Sequence, residues 1–385
     1  LNKGKNLYHI SLTSFLYETR VLKEIETVSK FNLFRKIYVL ALFKEGLPKI
    51  ERVGTHAVLI RIELKTKSNP TLRKLVPLIY LELLFRILSL VRNKRKSVVS
   101  IHVIDLLPIG AFLKCFMGIP VIYDAHELEP YTSNNKKRIF ILKNIESLFV
   151  RFVRCIIVVN DSIQEIYKER FPQKRVYSVY NAPKLQYPLD TGIIKKTLGL
   201  AVETKIFLYQ GGLVLGRGIE IMLEAFSVIP DKTCILVIIG YGELEDQIKT
   251  YSSKFQNIFF INAVPPGKLL EYTASCDFGI SLIENSCLSY YYCLPNKVLE
   301  YLMCRKPVLV SNLKEMASLV DKNGIGVVAR DFTIPEVTEG IKKLISLDLT
   351  VTKRNIDIII DKYSWERQEV KLSEAYQYVI NSKKW

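Results

Sequence analysis

Short runs of isoleucine, valine and leucine recur along this chain and seldom alternate with polar residues. In the first half they are Ile37–Phe43, Ala57–Ile62, Val98–Val103, Pro120–Tyr123 and Cys155–Val159. In the second half they are Ile206–Tyr209, Cys234–Ile239, Ile258–Ile261, Phe278–Ile283, Pro307–Val310 and Gly326–Val328. A strand exposed on one face would alternate. Unbroken runs of this length read as parallel strands covered on both faces. Amphipathic stretches between them supply the helices, so the pattern predicts repeated βα units and a doubly wound α/β fold. At 385 residues the chain is too long for one typical core. The proline-containing segment Asn181-Ala-Pro-Lys-Leu-Gln-Tyr-Pro-Leu-Asp190 has no clear period and marks a linker. The predicted domains are 1–183 and 184–364, with a final helix in 365–385.

The formal net charge is +17, and it is not evenly spread. Residues 1–183 hold 31 lysines and arginines against 15 acidic residues, and the remainder holds 24 against 23. The asymmetry changes at the proposed linker and points to an anionic surface met by the first half. Two segments concentrate it. Helix Pro77–Leu90 is rich in leucine and isoleucine, follows Arg73 and Lys74, and runs into Arg92, Lys94, Arg95 and Lys96. Lys136, Lys137, Arg138, Lys143, Arg151 and Arg154 form a second basic amphipathic stretch. The first reads either as an ordinary domain helix with a solvated basic end or as an interfacial segment on anionic lipid. Aromatics do not interleave with these clusters as on a base-stacking surface, so lipid is a better partner than nucleic acid.

The seven cysteines are odd in number and scattered, which fits a reducing compartment. None forms a C-x-x-C pair, and Cys287, Cys293 and Cys304 have no histidine nearby, so no metal site is predicted there. No signal-peptide pattern and no run of ~20 apolar residues appears. The expected location is cytoplasmic and peripheral on the inner face of the membrane.

Leu294-Pro-Asn-Lys-Val-Leu-Glu-Tyr-Leu302 carries the most chemistry. Pro295 suits a helix start and Asn296 is a plausible cap. Free N–H groups at such a start favour phosphate, and Glu300, one turn in, can accept hydrogen bonds from a ribose diol. Tyr209-Gln-Gly-Gly-Leu-Val-Leu-Gly-Arg-Gly-Ile-Glu220 is a strand, glycine loop and helix, another phosphate-binding arrangement. Gly211 and Gly212 let the backbone approach a ligand, and Arg217 can pair with a diphosphate. Gly240 opens a second glycine turn, and Ala263 and Val264 follow the next strand. In the first half, Tyr123-Asp-Ala-His-Glu127 follows a strand directly. There His126 is either a loop histidine bonded to its neighbouring carboxylates or a donor to a sugar hydroxyl or phosphate. Arg20, in the first helix, faces either a cleft or solvent.

Together these segments resemble the retaining glycosyltransferases of family 4, with the GT-B fold of two Rossmann-like domains facing a central cleft. Arg20-Val-Leu-Lys-Glu24 resembles the family's first helix, and Tyr123–Glu127 its central N-terminal motif. Tyr209–Ala225 resembles the start of its donor domain, Gly240-Tyr-Gly242 the turn after the next long strand, Leu294–Val310 its most diagnostic block, and Ser364-Trp365-Glu366 the start of a last helix that crosses back to the first domain. The resemblance implies a UDP- or GDP-sugar donor and no required cofactor or metal. Glu300 would hold the ribose. Arg217 would meet the diphosphate with amides near Pro295, Asn296 and Lys297, and Ala263 and Val264 would flank the base. His126 would act on the transferred sugar or acceptor, with Arg20 and Glu127 on the acceptor side. The expected catalytic residues are His126 and Arg217, and the expected acceptor is a lipid-linked or other saccharide of bacterial surface polysaccharide or glycolipid synthesis.

Two positions depart from the family's pattern. Where it often has a glutamate eight residues before Glu300, this chain has Tyr292. Where it often has an arginine five residues before Arg217, this chain has Gly212. These departures favour an alternative reading, a non-catalytic GT-B partner subunit. A nucleotide-sugar epimerase of similar fold is a second alternative, although it needs more acid/base residues than the chain offers.

Overall fold

The computed structural model describes residues 4–16, 18–54, 56–91, 96–230 and 234–382. Arg92, Lys94 and Arg95 of the first basic cluster lie outside them. The chain divides into two compact units, Leu1–Tyr180 with Gln368–Trp385, and Asn181–Arg367.

The first unit is built on eight strands: β1 (Asn6–Ile10), β2 (Lys36–Leu42), β3 (Ile50–Val53), β4 (Ala57–Ile62), β5 (Ser97–Ile101), β6 (Val121–Ala125), β7 (Cys155–Val158) and β8 (Arg175–Ser178). Their order is β3-β4-β2-β1-β5-β6-β7-β8. All neighbours are parallel except β3, which pairs antiparallel with β4 at the edge. The sequence reading missed β1, β3 and β8. β1 matters most, because it is the central strand and all five of its residues are buried. Its sequence, Asn-Leu-Tyr-His-Ile, carries two polar side chains, and the tertiary structure buries both and pairs His9 with His102. Residues from Gln368 onward belong to this unit: Lys30 pairs with Glu369, and the Tyr376 hydroxyl donates to Glu24 Oε2 at 3.2 Å.

The second unit holds β9 (Lys205–Gly212), β10 (Cys234–Tyr241), β11 (Ile258–Asn262), β12 (Phe278–Ser281), β13 (Val308–Ser311) and β14 (Gly326–Ala329). They form one parallel sheet in the order β11-β10-β9-β12-β13-β14. The chain builds outward from β9 to one side, then returns at β12 and builds to the other. In open α/β sheets, the carboxyl ends of two strands at such a reversal form the binding crevice. Both faces are covered, as the unbroken apolar runs require: Phe207, Leu236 and Phe278 on one face, and Ile206, Leu208, Val237 and Ile239 on the other, are all at most 1% exposed. The doubly wound fold class read from the sequence is the one observed.

Gly218 fixes the geometry at the reversal. It has a left-handed backbone (φ +72°), and a Cβ there would fall 1.8 Å from the Leu282 carbonyl oxygen after β12. Gly218→Ala should therefore destabilise the second unit. The left-handed backbone alone costs roughly 1–3 kcal/mol, and the collision adds to it. Equilibrium denaturation, with unfolding of this unit followed through Trp365, should show a clearly lowered midpoint. An unchanged midpoint would mean that the loop relaxes freely.

Candidate functional site

In the second unit, three segments meet where β9 and β12 end. The loop after β9 runs through Gly211 and Gly212 to helix Ile219–Ser227. The loop after β12 is tied to it by the Glu284 N–H, which donates to the Gly216 carbonyl at 3.0 Å. Helix Asn296–Met303 follows. Its start differs from the expected one. Pro295 occupies the cap position in extended conformation, Asn296 is the first helical residue, and no side-chain cap bond forms. A proline there has no N–H to satisfy, and its fixed φ suits the approach to the helix.

This helix turns Lys297 and Glu300 toward the end of β9. Glu300 Oε2 accepts from the Gln210 amide nitrogen at 2.6 Å, and Gln210 Oε1 accepts from the Thr273 hydroxyl at 2.7 Å. The carboxylate can only accept, so it fixes which way the buried amide faces, and the Thr273 hydroxyl, which also lies 2.9 Å from the Leu269 carbonyl, holds the amide's other side. Tyr301, on the same helix, accepts from the Gln210 backbone N–H at 3.2 Å and donates to the Ile280 carbonyl at 3.4 Å. Lys297 Nζ sits 3.5 Å from the Tyr209 ring centroid and would lie 3.4 Å from a Cβ at Gly211. Burial, then the neighbouring Arg217 charge, lowers its pKa to about 7, with Glu300 opposing. The Arg217 guanidinium stacks on Tyr290, 4.9 Å from the ring centroid. The result is a glycine-lined loop, two cationic side chains and an oriented carboxylate at the carboxyl end of the central strand. Such a set can hold an anionic group beside a diol.

Gly240 has a packing role here: a Cβ would fall 2.0 Å from the Gly211 carbonyl oxygen. Ala263 and Val264 follow β11 and are exposed and half-buried respectively. Tyr292, at the position where a glutamate was sought, lies beneath Lys314 Nζ at 5.1 Å from the ring centroid. Gln210, Thr273 and Tyr290 were not singled out from sequence. Gln210 had a usable signal, a polar residue at the last buried position of an otherwise apolar strand.

In the first unit a second cluster gathers at the carboxyl ends of β1, β5 and β6. Arg20 faces neither solvent nor an open cleft. It is 4% exposed, and its Nε and Nη2 donate to the two oxygens of Asp124 at 3.0 and 2.7 Å. Its Nη1 donates to the Val179 carbonyl at 2.9 Å. His126 is bonded to a neighbouring carboxylate, as one of its two readings held, but that carboxylate is Asp124 (Nε2···Oδ2 2.9 Å), and Glu127 is exposed. His102 Nδ1 lies 3.1 Å from Asp124 Oδ2, and His9 Nδ1 lies 2.9 Å from His102 Nε2. The bonds are satisfied when His9 donates to His102 and when His102 and His126 both donate to Asp124. Asp124 takes them as a carboxylate: burial alone would raise its pKa, but Arg20, His126 and His102 hold it well below the ordinary range. Glu24 behaves oppositely. Burial and the Asp124 charge push it well above the usual range, against Arg20. Burial also lowers His9 and His102.

His102, Asp124 and His126 present three atoms close enough to face a single metal ion, as do His9, Glu24 and His102. Asp124 is, however, already engaged by the Arg20 guanidinium, which opposes a cation there. Asp124→Asn should cost about 3–5 kcal/mol by leaving Arg20 buried without its partner charge. Glu24→Gln should keep wild-type stability at pH 6, because the amide mimics the protonated acid. In the wild type the folded state keeps the Glu24 proton at pH values where the unfolded chain has lost it. Stability should therefore fall as pH rises through that window, and Glu24→Gln should flatten the fall. Urea unfolding of both variants from pH 5 to 9 measures this. Equal losses would reverse the assigned charge states.

Two family models match the chain: "Glycosyltransferase Family 4" over residues 36–186 and "Glycosyl transferases group 1" over 190–358. An uncharacterized glycosyltransferase of Methanocaldococcus jannaschii is 22% identical over 258 residues, and the match spans 64% of each chain. The solved sucrose-phosphate synthase from Thermosynechococcus elongatus superposes with a TM-score of 0.81 at 15% identity, covering 98% of this chain and 100% of that one. Anabaena HepE in complex with UDP and glucose superposes at 0.70 with 14% identity, covering 97% and 99%. The chain belongs to glycosyltransferase family 4 and has the GT-B fold.

Proposed function

We propose that this family 4 chain is a retaining glycosyltransferase. It would take a sugar from a UDP- or GDP-linked donor and pass it to an acceptor hydroxyl, with no metal required. The observation that carries the proposal is the Thr273–Gln210–Glu300 chain set beside Lys297 and Arg217. In this reading Glu300 accepts from the ribose hydroxyls. Arg217, Lys297 and the N–H groups at the start of helix Asn296–Met303 receive the diphosphate, whose charge grows as the bond to the sugar breaks. Ala263 and Val264 border the base, Gly211 and Gly212 admit the phosphates, and His126 serves the sugar or acceptor beside Glu127, while the buried Arg20 holds Asp124, the carboxylate that positions His126. The complex of HepE with UDP and glucose supports a nucleotide-sugar donor. Transfer or hydrolysis of a nucleotide sugar by the purified chain tests the proposal. UDP or GDP binding with no turnover toward any sugar would favour the non-catalytic partner subunit instead.

Glu300→Ala should weaken UDP or GDP by about ten- to a hundredfold, the equivalent of roughly 1.5–3 kcal/mol for a charge-assisted hydrogen bond, in a protein that stays folded but melts somewhat lower because the buried Gln210 amide loses its acceptor. Arg217→Ala should weaken the diphosphate but not the uncharged nucleoside. Titration calorimetry separates the two, and equal losses for nucleoside and diphosphate would give Arg217 a folding role.

Lys297 adds a pH signature. With a pKa of about 7 in the free protein, it loses its charge above neutrality, and a bound diphosphate restores it. Affinity for the diphosphate should therefore fall from pH 7 to 9 with proton uptake on binding, and Lys297→Met should flatten the profile. A flat wild-type profile would remove Lys297 from the phosphate site.

We further propose peripheral attachment to an anionic membrane face and a lipid-linked acceptor of surface-polysaccharide or glycolipid synthesis. Among the described residues no helix is long and apolar enough to span a membrane. The connections β4→β5, β5→β6 and β6→β7 all advance toward the same edge of the first sheet, and right-handed crossovers place their helices on one face. That face exposes Leu81 and Phe85 of helix Val76–Leu90, Phe116 of helix Leu107–Met117, and Phe140 and Ile141 of helix Lys136–Phe149, each more than half exposed. Lys136, Lys137, Arg138 and Lys143 accompany them. Sedimentation with phosphatidylglycerol vesicles should succeed at low salt and weaken at high salt, and phosphatidylcholine vesicles should bind less. Equal binding to both lipids would sink the electrostatic attachment.

A further inference from the structure

The first unit also contains a cavity of about 500 Å³ that the transfer chemistry does not use. It opens at the amino-terminal ends of the strands: Lys5 precedes β1, Ser97 begins β5, Pro120 precedes and Val121 begins β6, and Arg154 precedes β7. The histidine network lies at their carboxyl ends. Five residues of strand separate the two, roughly 15 Å at 3.3 Å per residue. A substrate of the histidine end therefore does not fill this cavity.

Its lining has two characters. Lys5, Lys114, Arg151 and Arg154 are its four cationic lining residues, and none of the described lining residues is acidic. Lys174 adds a fifth positive group behind the rim, donating to the carbonyls of Arg151 at 2.7 Å and Val153 at 2.8 Å. Burial lowers its pKa to about 8, and Arg154 and Lys114 push in the same direction. Burial likewise lowers Lys5, whose ammonium donates to the Ile380 carbonyl at 2.8 Å. Glu374 is the one acid among the residues lining the shallow groove next to the cavity, which it shares with Arg175, Tyr177 and Tyr378. The other half of the cavity is apolar, with Met117, Phe152 and Val379. Phe116, 75% exposed and stacked on Phe112 at 4.6 Å, continues that apolar surface outward beside Lys114 and Met117.

Cationic side chains beside an apolar wall suit a ligand that carries a negative group on an apolar chain. We propose that the cavity is a binding site for the phosphate group of a phosphorylated amphiphile, with the phosphate among Lys5, Lys114, Arg151 and Arg154 and the apolar chain along Met117 and Phe152. The site is distinct from the donor site and does not depend on the sugar-transfer reading. Guanidinium and ammonium groups recognise a phosphate by charge-assisted hydrogen bonds, and the flexible thioether of Met117 adapts to an alkyl chain.

The test uses the whole chain and three probes: monomeric dihexanoyl phosphatidic acid, the matching zwitterionic dihexanoyl phosphatidylcholine, and inorganic pyrophosphate. Phosphatidic acid should raise the melting temperature by several degrees and bind at least tenfold more tightly than phosphatidylcholine, because a ligand of the folded state stabilises it. Arg217→Ala, which weakens the proposed donor site, should keep this binding. The double reversal Lys114→Glu with Arg151→Glu should abolish it. Met117→Trp, which fills the cavity and leaves every charge in place, should abolish it too, which keeps the test decisive if the double reversal fails to fold. Equal binding of phosphatidylcholine overturns the proposal, as does binding that survives Met117→Trp. Pyrophosphate binding as strongly as phosphatidic acid in Arg217→Ala would assign the site to a soluble phosphate and overturn the amphiphile.

Discussion

At the carboxyl end of β9 the backbone of the second unit packs more closely than any side chain allows. A Cβ on Gly240 would collide with the Gly211 carbonyl, and one on Gly218 with that of Leu282. Hydrogen-only positions let the loops after β9, β10 and β12 close on one another, and this closure holds Arg217 against Tyr290 and Lys297 against Tyr209. The functional groups belong to three separate stretches of chain. What brings them together is a parallel sheet that reverses its winding between β9 and β12.

The two units handle buried charge in opposite ways. In the first, Arg20, Asp124, Glu24 and three histidines settle their charges among themselves, and the network leaves only His126 about a third exposed. An arrangement of this kind fixes ring orientation and tautomer, because each imidazole has a stated donor or acceptor on its inner side. In the second, Lys297 feels two opposing neighbours, the Arg217 charge and one oriented carboxylate, Glu300. That surplus of positive charge suits an anion, and it gives the diphosphate role of this end of the sheet its physical basis.

Much of the fold was legible because it rests on local pattern. The apolar runs from Ile206 to Val328 correspond to six parallel strands, since a strand covered on both faces has no reason to alternate. β1 was not legible. Asn6 and His9 interrupt its apolar pattern, and only the pairing of His9 with His102, 93 residues away, explains why the histidine is buried. The glycine loop and the Pro295–Glu300 segment were legible for the same reason as the strands. Phosphate-binding turns and helix starts are written in consecutive residues.

By itself, then, the sequence determined the α/β class, the family, and which stretches carry phosphate and carboxylate chemistry, because each depends on neighbours within a turn or two. The tertiary structure alone decided which groups act on one another. It set Arg20 on Asp124 across 104 positions, Gln210 on Glu300 across 90, and Lys5, Lys114 and Arg154 around one cavity. Burial and charge proximity govern ionisation, and both follow from strand order and helix placement, which bring distant residues within a few ångströms. No local pattern in the chain encodes those distances.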